Sequence, residues 1–158
     1  MSISKNKVIL IVSVGVLLLV IVAALQYGLT YYFEQKQSAQ VVNQSTEFLE
    51  KWGNYPNNTD TKYLDSIKPY LSDSLFQQNV DDAKSAREIN LKYNSPSASS
   101  RLVISGQPEV NKQNNKYVVK VAYKQTFEGS YDQNQIATLT WSKIDNNYAI
   151  AEISMVNK

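Results

Sequence analysis

Neither cysteine nor histidine occurs anywhere in the 158 residues. Their absence excludes disulfides, lipobox acylation, thiolate nucleophiles, zinc sites built on Cys or His, and acid–base catalysis by imidazole. A cysteine-free chain suits a reducing compartment and a bacterial exterior equally well, so location must be read elsewhere. An excess of one charge is also missing. Sixteen basic residues face fourteen acidic ones, and Lys5 and Lys7 account for the net +2 by themselves. A nucleic-acid binder carries a basic surplus on the domain that meets the phosphates, because charge neutralisation dominates that affinity. No nucleic-acid partner is therefore expected, and nothing in the composition calls for a metal or a cofactor.

What is present is a long apolar run. Val8 to Leu25 reads VILIVSVGVLLLVIVAAL, and uncharged residues continue to Phe33 before Glu34 interrupts. A helix crossing a hydrocarbon core of about 30 Å needs about 20 apolar residues, which the run supplies once Gln26 to Leu29 are included. A helix apolar on every side would otherwise need protein all round it, more than a domain of this size can provide. Val22, Ala23 and Ala24 resemble a signal-peptide cleavage site, but signal h-regions run only about 7 to 15 residues, so an uncleaved anchor is expected. Lys5 and Lys7 precede the span, which predicts a cytoplasmic N-terminus (residues 1–7), a transmembrane signal anchor (8–29) and an extracytoplasmic domain (30–158). Tyr27, Tyr31, Tyr32 and Phe33 fall where the helix should leave the lipid, a depth that favours amphipathic rings. Ala24 and Gly28 form a small-xxx-small pair that would let two spanning helices approach closely.

Beyond Glu34 the spacing predicts a helix with Val41, Val42, Ser45, Phe48, Leu49 and Trp52 on one stripe, ended by the turn formers of Gly53 to Thr61. Asp60 or Thr61 would cap a short second helix carrying Tyr63, Leu64 and Ile67, closed by Pro69. Ser72 and Asp73 supply an N-cap and a first-turn negative charge for a third, with Leu75, Phe76, Val80, Ala83 and Ala86 as its apolar face. After the small-polar stretch Asn94 to Ser100 come four strand-like runs: Arg101 to Val110, Lys116 to Phe127, Gln135 to Ile144 and Tyr148 to Val156. In the second, Tyr117, Val119, Val121, Tyr123 and Phe127 alternate with Lys116, Lys120 and Lys124, so one face is buried and one is wet. Asn114 with Asn115, and Asp145 with Asn146 and Asn147, suit tight hairpins. Helices followed by a meander argue an α+β fold, about three helices packed on a curved four-stranded antiparallel sheet. Leu139, Trp141, Ile153 and Met155 are expected to complete the core.

This order resembles the nuclear-transport-factor-two-like, or cystatin-like, superfamily over roughly Ser38 to Lys158. The likeness rests on an outward helix ending FLEKW, a short helix ending IKPYLS and a terminal hairpin reading TWSKIDNNYAIAEI. Within it the chain looks most like bitopic bacterial proteins with one such domain outside the membrane, among them type IV secretion inner-membrane scaffolds and Mce-associated proteins. The resemblance implies a role in an assembly and no catalytic activity, with envelope proteins or a second copy as partners.

Some enzymes of that superfamily pair a tyrosine with a carboxylic acid in the cone between helices and sheet. The acids nearest a strand tyrosine here are Glu128, Asp132 and Glu152, and a hairpin loop or a solvent-facing position explains all three more simply. Asp81 and Asp82 point about a hundred degrees apart on a helix and do not suit a shared metal. Lys112, Lys116, Lys120 and Lys124 share one parity and would make a basic stripe for an anionic partner, or simply guard the sheet against aggregation. A ligand in the cone would meet Phe76, Tyr117, Tyr123 and Trp141. Asn43-Gln44-Ser45 and Asn57-Asn58-Thr59 match the glycosylation sequon, which matters only in a eukaryotic secretory pathway.

Overall fold

A computed structural model of the chain describes residues 5–54, 62–93, 99–127, 132–145 and 147–157, with side chains from residue 15 onward except at Lys62. The sequons' second member, the Asp60 or Thr61 cap and Glu128 lie outside the described residues. The chain divides into two units, residues 1–37 and residues 38–158.

The first unit is the N-terminal part of helix α1 (Lys5–Gly53), which is long and apolar enough to cross a membrane. Val16 to Ile21 and Leu25 all expose their side chains, as a helix does when its apolar surface meets lipid and not protein. Tyr27, Tyr31, Tyr32 and Phe33 are exposed as well; Tyr32 and Phe33 meet edge to face at 5.9 Å, and Gln35 Nε2 donates to Tyr31 Oη at 2.8 Å.

In the second unit α1 turns amphipathic. Val41, Ser45, Phe48 and Leu49 are buried, with Val42 and Trp52 partly so, which is the predicted stripe. Helix α2 (Lys62–Ile67) runs into a 3-10 turn (Lys68–Tyr70) that contains Pro69. Helix α3 (Asp73–Tyr93) starts at Ser72, whose Oγ accepts from Leu75 N–H at 3.3 Å and whose carbonyl accepts from Phe76 N–H at 2.8 Å. The first bond satisfies an amide that the first turn of a helix leaves open, and the second is the first rung of the helix's own ladder.

The sheet has five strands, β1 (Ser100–Ile104), β2 (Glu109–Gln113), β3 (Lys116–Phe127), β4 (Asp132–Ile144) and β5 (Asn147–Asn157), all pairing antiparallel. Four were expected. The first expected run, Arg101 to Val110, breaks at 105–108, where Gly106 and Pro108 disfavour a continuous ladder, and both pieces pair with β3. Asn114 and Asn115 turn β2 into β3 with φ of 47° and 62°, the left-handed pair that a two-residue hairpin needs.

Inward-facing residues of the sheet close over the helices. Tyr117, Val119, Val121, Tyr123, Ala137, Leu139, Trp141 and Ile150 are fully enclosed, together with Phe48, Leu49 and Ile67. A bulge between Thr140 and Trp141 leaves Ala151 without a cross-strand partner, so Ile150 faces inward opposite Trp141. Ile150 therefore fills the core position where alternation from Ile153 and Met155 would place another residue; Ile153 packs only partly against the core.

The join between α1 and the sheet is close. A Cβ on Gly53 would stand 2.5 Å from Leu102 Cβ, nearer than real contacts allow. Asn54 then clips β1 in place, accepting from Leu102 N–H at 2.8 Å and donating to Leu102 O at 3.3 Å.

Candidate interaction surfaces

The two-residue period of β3 sends Lys116, Lys120 and Lys124 to the outer face of the sheet, away from the helices. Lys112 does not join them. It lies on β2 opposite the inward-facing Tyr117, with its ammonium 5.8 Å from that ring, because the turn at Asn114 and Asn115 starts a new strand and resets which parity faces out. The predicted stripe of four is a stripe of three.

Around those three lysines the register sets their neighbours. Lys120 stands opposite Glu109, and Lys116 opposite Gln113. Lys124 Nζ pairs with Asp132 Oδ2 at 2.5 Å, and Thr126 Oγ1 donates to Asp132 Oδ1 at 2.7 Å. Lys124, and secondarily Thr126, hold the Asp132 carboxyl below its ordinary range. Between the charges the face carries apolar side chains. Ala122, Ile136 and Val156 are aligned across three strands, and Val103 beside Lys124 is exposed, as is Val156. The face thus mixes apolar side chains with basic and neutral polar ones.

The inner-face aromatics are spoken for. Trp141 Nε1 donates to Ser45 Oγ at 2.8 Å, and Tyr117 meets Tyr148 edge to face at 5.1 Å. Tyr123 Oη donates to Gln135 Oε1 at 2.5 Å, and burial pushes its phenol above the ordinary tyrosine value. The partners of its hydroxyl are that amide and, at 3.3 Å, the Met155 thioether. Phe76 is partly buried, with the Lys68 ammonium 5.2 Å from its ring. Asp132 and Glu152 occupy exposed positions, and Asp81 bonds Gln77 and pairs with Lys84 at 3.8 Å. Among the described residues no three acidic side chains gather as metal ligands.

Open clefts among the described residues include two that lie elsewhere. One, of about 310 Å³, follows β2 along Glu109, Asn111 and Lys120; the other, of about 250 Å³, lies between α3 and β5. Phe76, Tyr117, Tyr123 and Trp141 line neither.

A cluster that the sequence alone does not reveal joins α1 to the 3-10 turn. Lys51 Nζ bonds Glu47 Oε1 and Tyr70 Oη, each at 2.8 Å. Lys51, and secondarily Tyr70, lower the Glu47 carboxyl, while burial raises the Tyr70 phenol. The i, i+4 spacing of Glu47 and Lys51 is visible in the sequence; the arrival of Tyr70 is not.

No protein-family model and no curated protein matches the sequence. Solved structures do match. CagV, a VirB8 homolog of the type IV secretion system from Helicobacter pylori strain 26695, is 17% identical with a TM-score of 0.51, over 76% of this chain and 98% of CagV. An IcmL-like type IV secretion system protein from Legionella pneumophila subsp. pneumophila str. Philadelphia 1 is 11% identical with a TM-score of 0.55, over 76% of this chain and 92% of its own. The fold is VirB8-like. The FLEKW, IKPYLS and terminal-hairpin segments lie within the part of the chain that shares this fold. Those segments are structural: Phe48, Leu49, Ile67, Tyr70, Leu71, Trp141 and Ile150 are all core residues.

Proposed function

We propose that the chain is a membrane-anchored, non-enzymatic assembly module of the cell envelope, working as a component of a secretion, conjugation or transport complex. The observation that carries this reading is a VirB8-like domain on a chain with an apolar helix long enough to span a membrane. In this reading Lys5 and Lys7 hold the N-terminus in the cytoplasm, Tyr27, Tyr31, Tyr32 and Phe33 mark the outer interface, and the domain works outside. The contact surface is the outer sheet face, where Lys116, Lys120 and Lys124 frame Ala122, Ile136 and Val156. Another envelope protein or a second copy of the chain docks there.

Amine crosslinking of intact cells expressing the tagged full-length protein, read by mass spectrometry, tests the reading. Links from Lys116, Lys120 or Lys124 to envelope proteins, or to a second copy, are expected. A protein recovered alone and monomeric, both after crosslinking and in mild detergent, would count against it.

A further inference from the structure

β5 is the last strand of the sheet. On the side away from β4 it meets Leu71, through a parallel bridge to Ile150 at which Ser72 N–H donates to Ile150 O at 2.9 Å. From Ala151 to Asn157 no described strand continues the ladder, so main-chain donors and acceptors line an open edge. Soluble sheets guard such edges with lysine, proline or inward charges. The stretch Ala151–Asn157 (AEISMVN) contains no lysine and no proline, and its one charge is Glu152.

The edge is bordered by the cleft of about 250 Å³, whose other wall is α3. Leu75, Asn79 and Asp82 lie at i, i+4 and i+7, one face of that helix. Trp52, Leu75 and Ile153 give the cleft apolar lining and Asp82 an acidic group on its α3 side, while Glu152, opposite Thr140, turns to the outer face of the sheet; no basic residue lines the cleft. A free strand edge, a flanking helix and an apolar pocket between them form the geometry by which domains capture extended peptides: main-chain bonds supply affinity and alternate side chains supply selectivity.

We propose that the groove between α3 and β5 binds an extended segment of a partner protein by strand addition. The segment pairs with the edge of β5, seats one apolar side chain on Trp52, Leu75 and Ile153, and sets a neighbouring lysine or arginine, on the other side of the added strand, against Glu152. A second copy of β5 is the poorer occupant, since it would bring a further Glu152 and no basic side chain to Glu152. The proposal rests on the assembly reading above and adds a second contact surface, with its partner's chemistry, beside the outer sheet face.

The test uses the full-length protein in nonionic micelles and a short fluorescein-labelled peptide alternating valine with lysine, with empty micelles as the blank. Saturable binding by anisotropy is expected, together with slowed amide exchange at Ala151–Asn157. The double variant Asp82→Lys/Glu152→Lys, both sites exposed, should bind at least about tenfold more weakly and prefer the peptide with glutamate in place of lysine. A peptide methylated on alternate backbone nitrogens should lose binding. Absence of saturable binding, equal affinity of the double variant, or equal affinity of the methylated peptide would overturn the proposal. Peptide binding that fails while the wild-type crosslinks from Lys116, Lys120 or Lys124 are still recovered would sink the groove and leave the assembly reading intact.

Discussion

The indole of Trp141 donates to Ser45 Oγ at 2.8 Å, joining residues 96 apart in sequence across the fully enclosed core. Ser45 Oγ donates in turn to Val41 O at 2.7 Å, so the hydroxyl and the indole N–H are both satisfied without water. The bond fixes the rotation of α1 against β4, because a helix turned by one residue would bring Thr46 or Gln44 to the indole instead.

Ser45→Ala removes the acceptor and strands a buried N–H. It should cost about 1–3 kcal/mol. Chemical denaturation of the full-length protein in micelles, followed by tryptophan fluorescence, measures the loss. A variant with an unchanged midpoint would mean that the bond carries no net stability.

Gly53→Ala must push Leu102 aside, and overpacking of this kind costs about 1–3 kcal/mol. Asn54→Ala should instead loosen β1, seen as faster amide exchange at Leu102 than at the central strand β3. The two variants separate crowding from clipping at one junction.

Asp132→Asn tests the outer-face pair by its pH dependence. Lys124 depresses the folded-state value of Asp132, so the pair stabilises the fold above the ordinary carboxylate value of about 3.9, and this is lost as pH falls through the lower folded value. Wild type and variant should therefore differ in denaturation midpoint at neutral pH and converge in acid. A constant offset across the range would assign the effect to the Thr126 hydrogen bond or to packing.

Topology is open to a clean measurement because the chain contains no cysteine. Ser154→Cys on the outer sheet face should react with a membrane-impermeant maleimide on intact cells. Ser2→Cys should react only after permeabilisation. The reverse pattern would place the domain in the cytoplasm and remove the envelope reading.

Much of the fold could be read directly because it rests on local periodicity. The stripe from Val41 to Trp52, the Ser72 cap and the alternation of β3 each depend on residues within a few positions of one another. The features that escaped depend on what the chain meets after folding. Lys112 shares a parity with Lys116 in sequence, yet the Asn114–Asn115 turn starts a new strand between them and puts Lys112 over Tyr117. The break before β2 is marked by Gly106 and Pro108, but its two halves find the same partner strand only through the sheet's order. That β5 ends the sheet, and that Trp52 and Leu75 come beside it, is likewise decided by topology and not by any local pattern.

The bulge at Ala151 divides β5 into two reading frames. Upstream, Ile150 is in phase with Trp141; downstream, Ile153 is in phase with Leu139, three residues further along one strand against two along the other. A chain one residue shorter there would have to turn one of these isoleucines out into water. What keeps both isoleucines against the core is therefore the number of residues between them, a constraint on chain length that no cross-strand contact of Ala151 itself imposes.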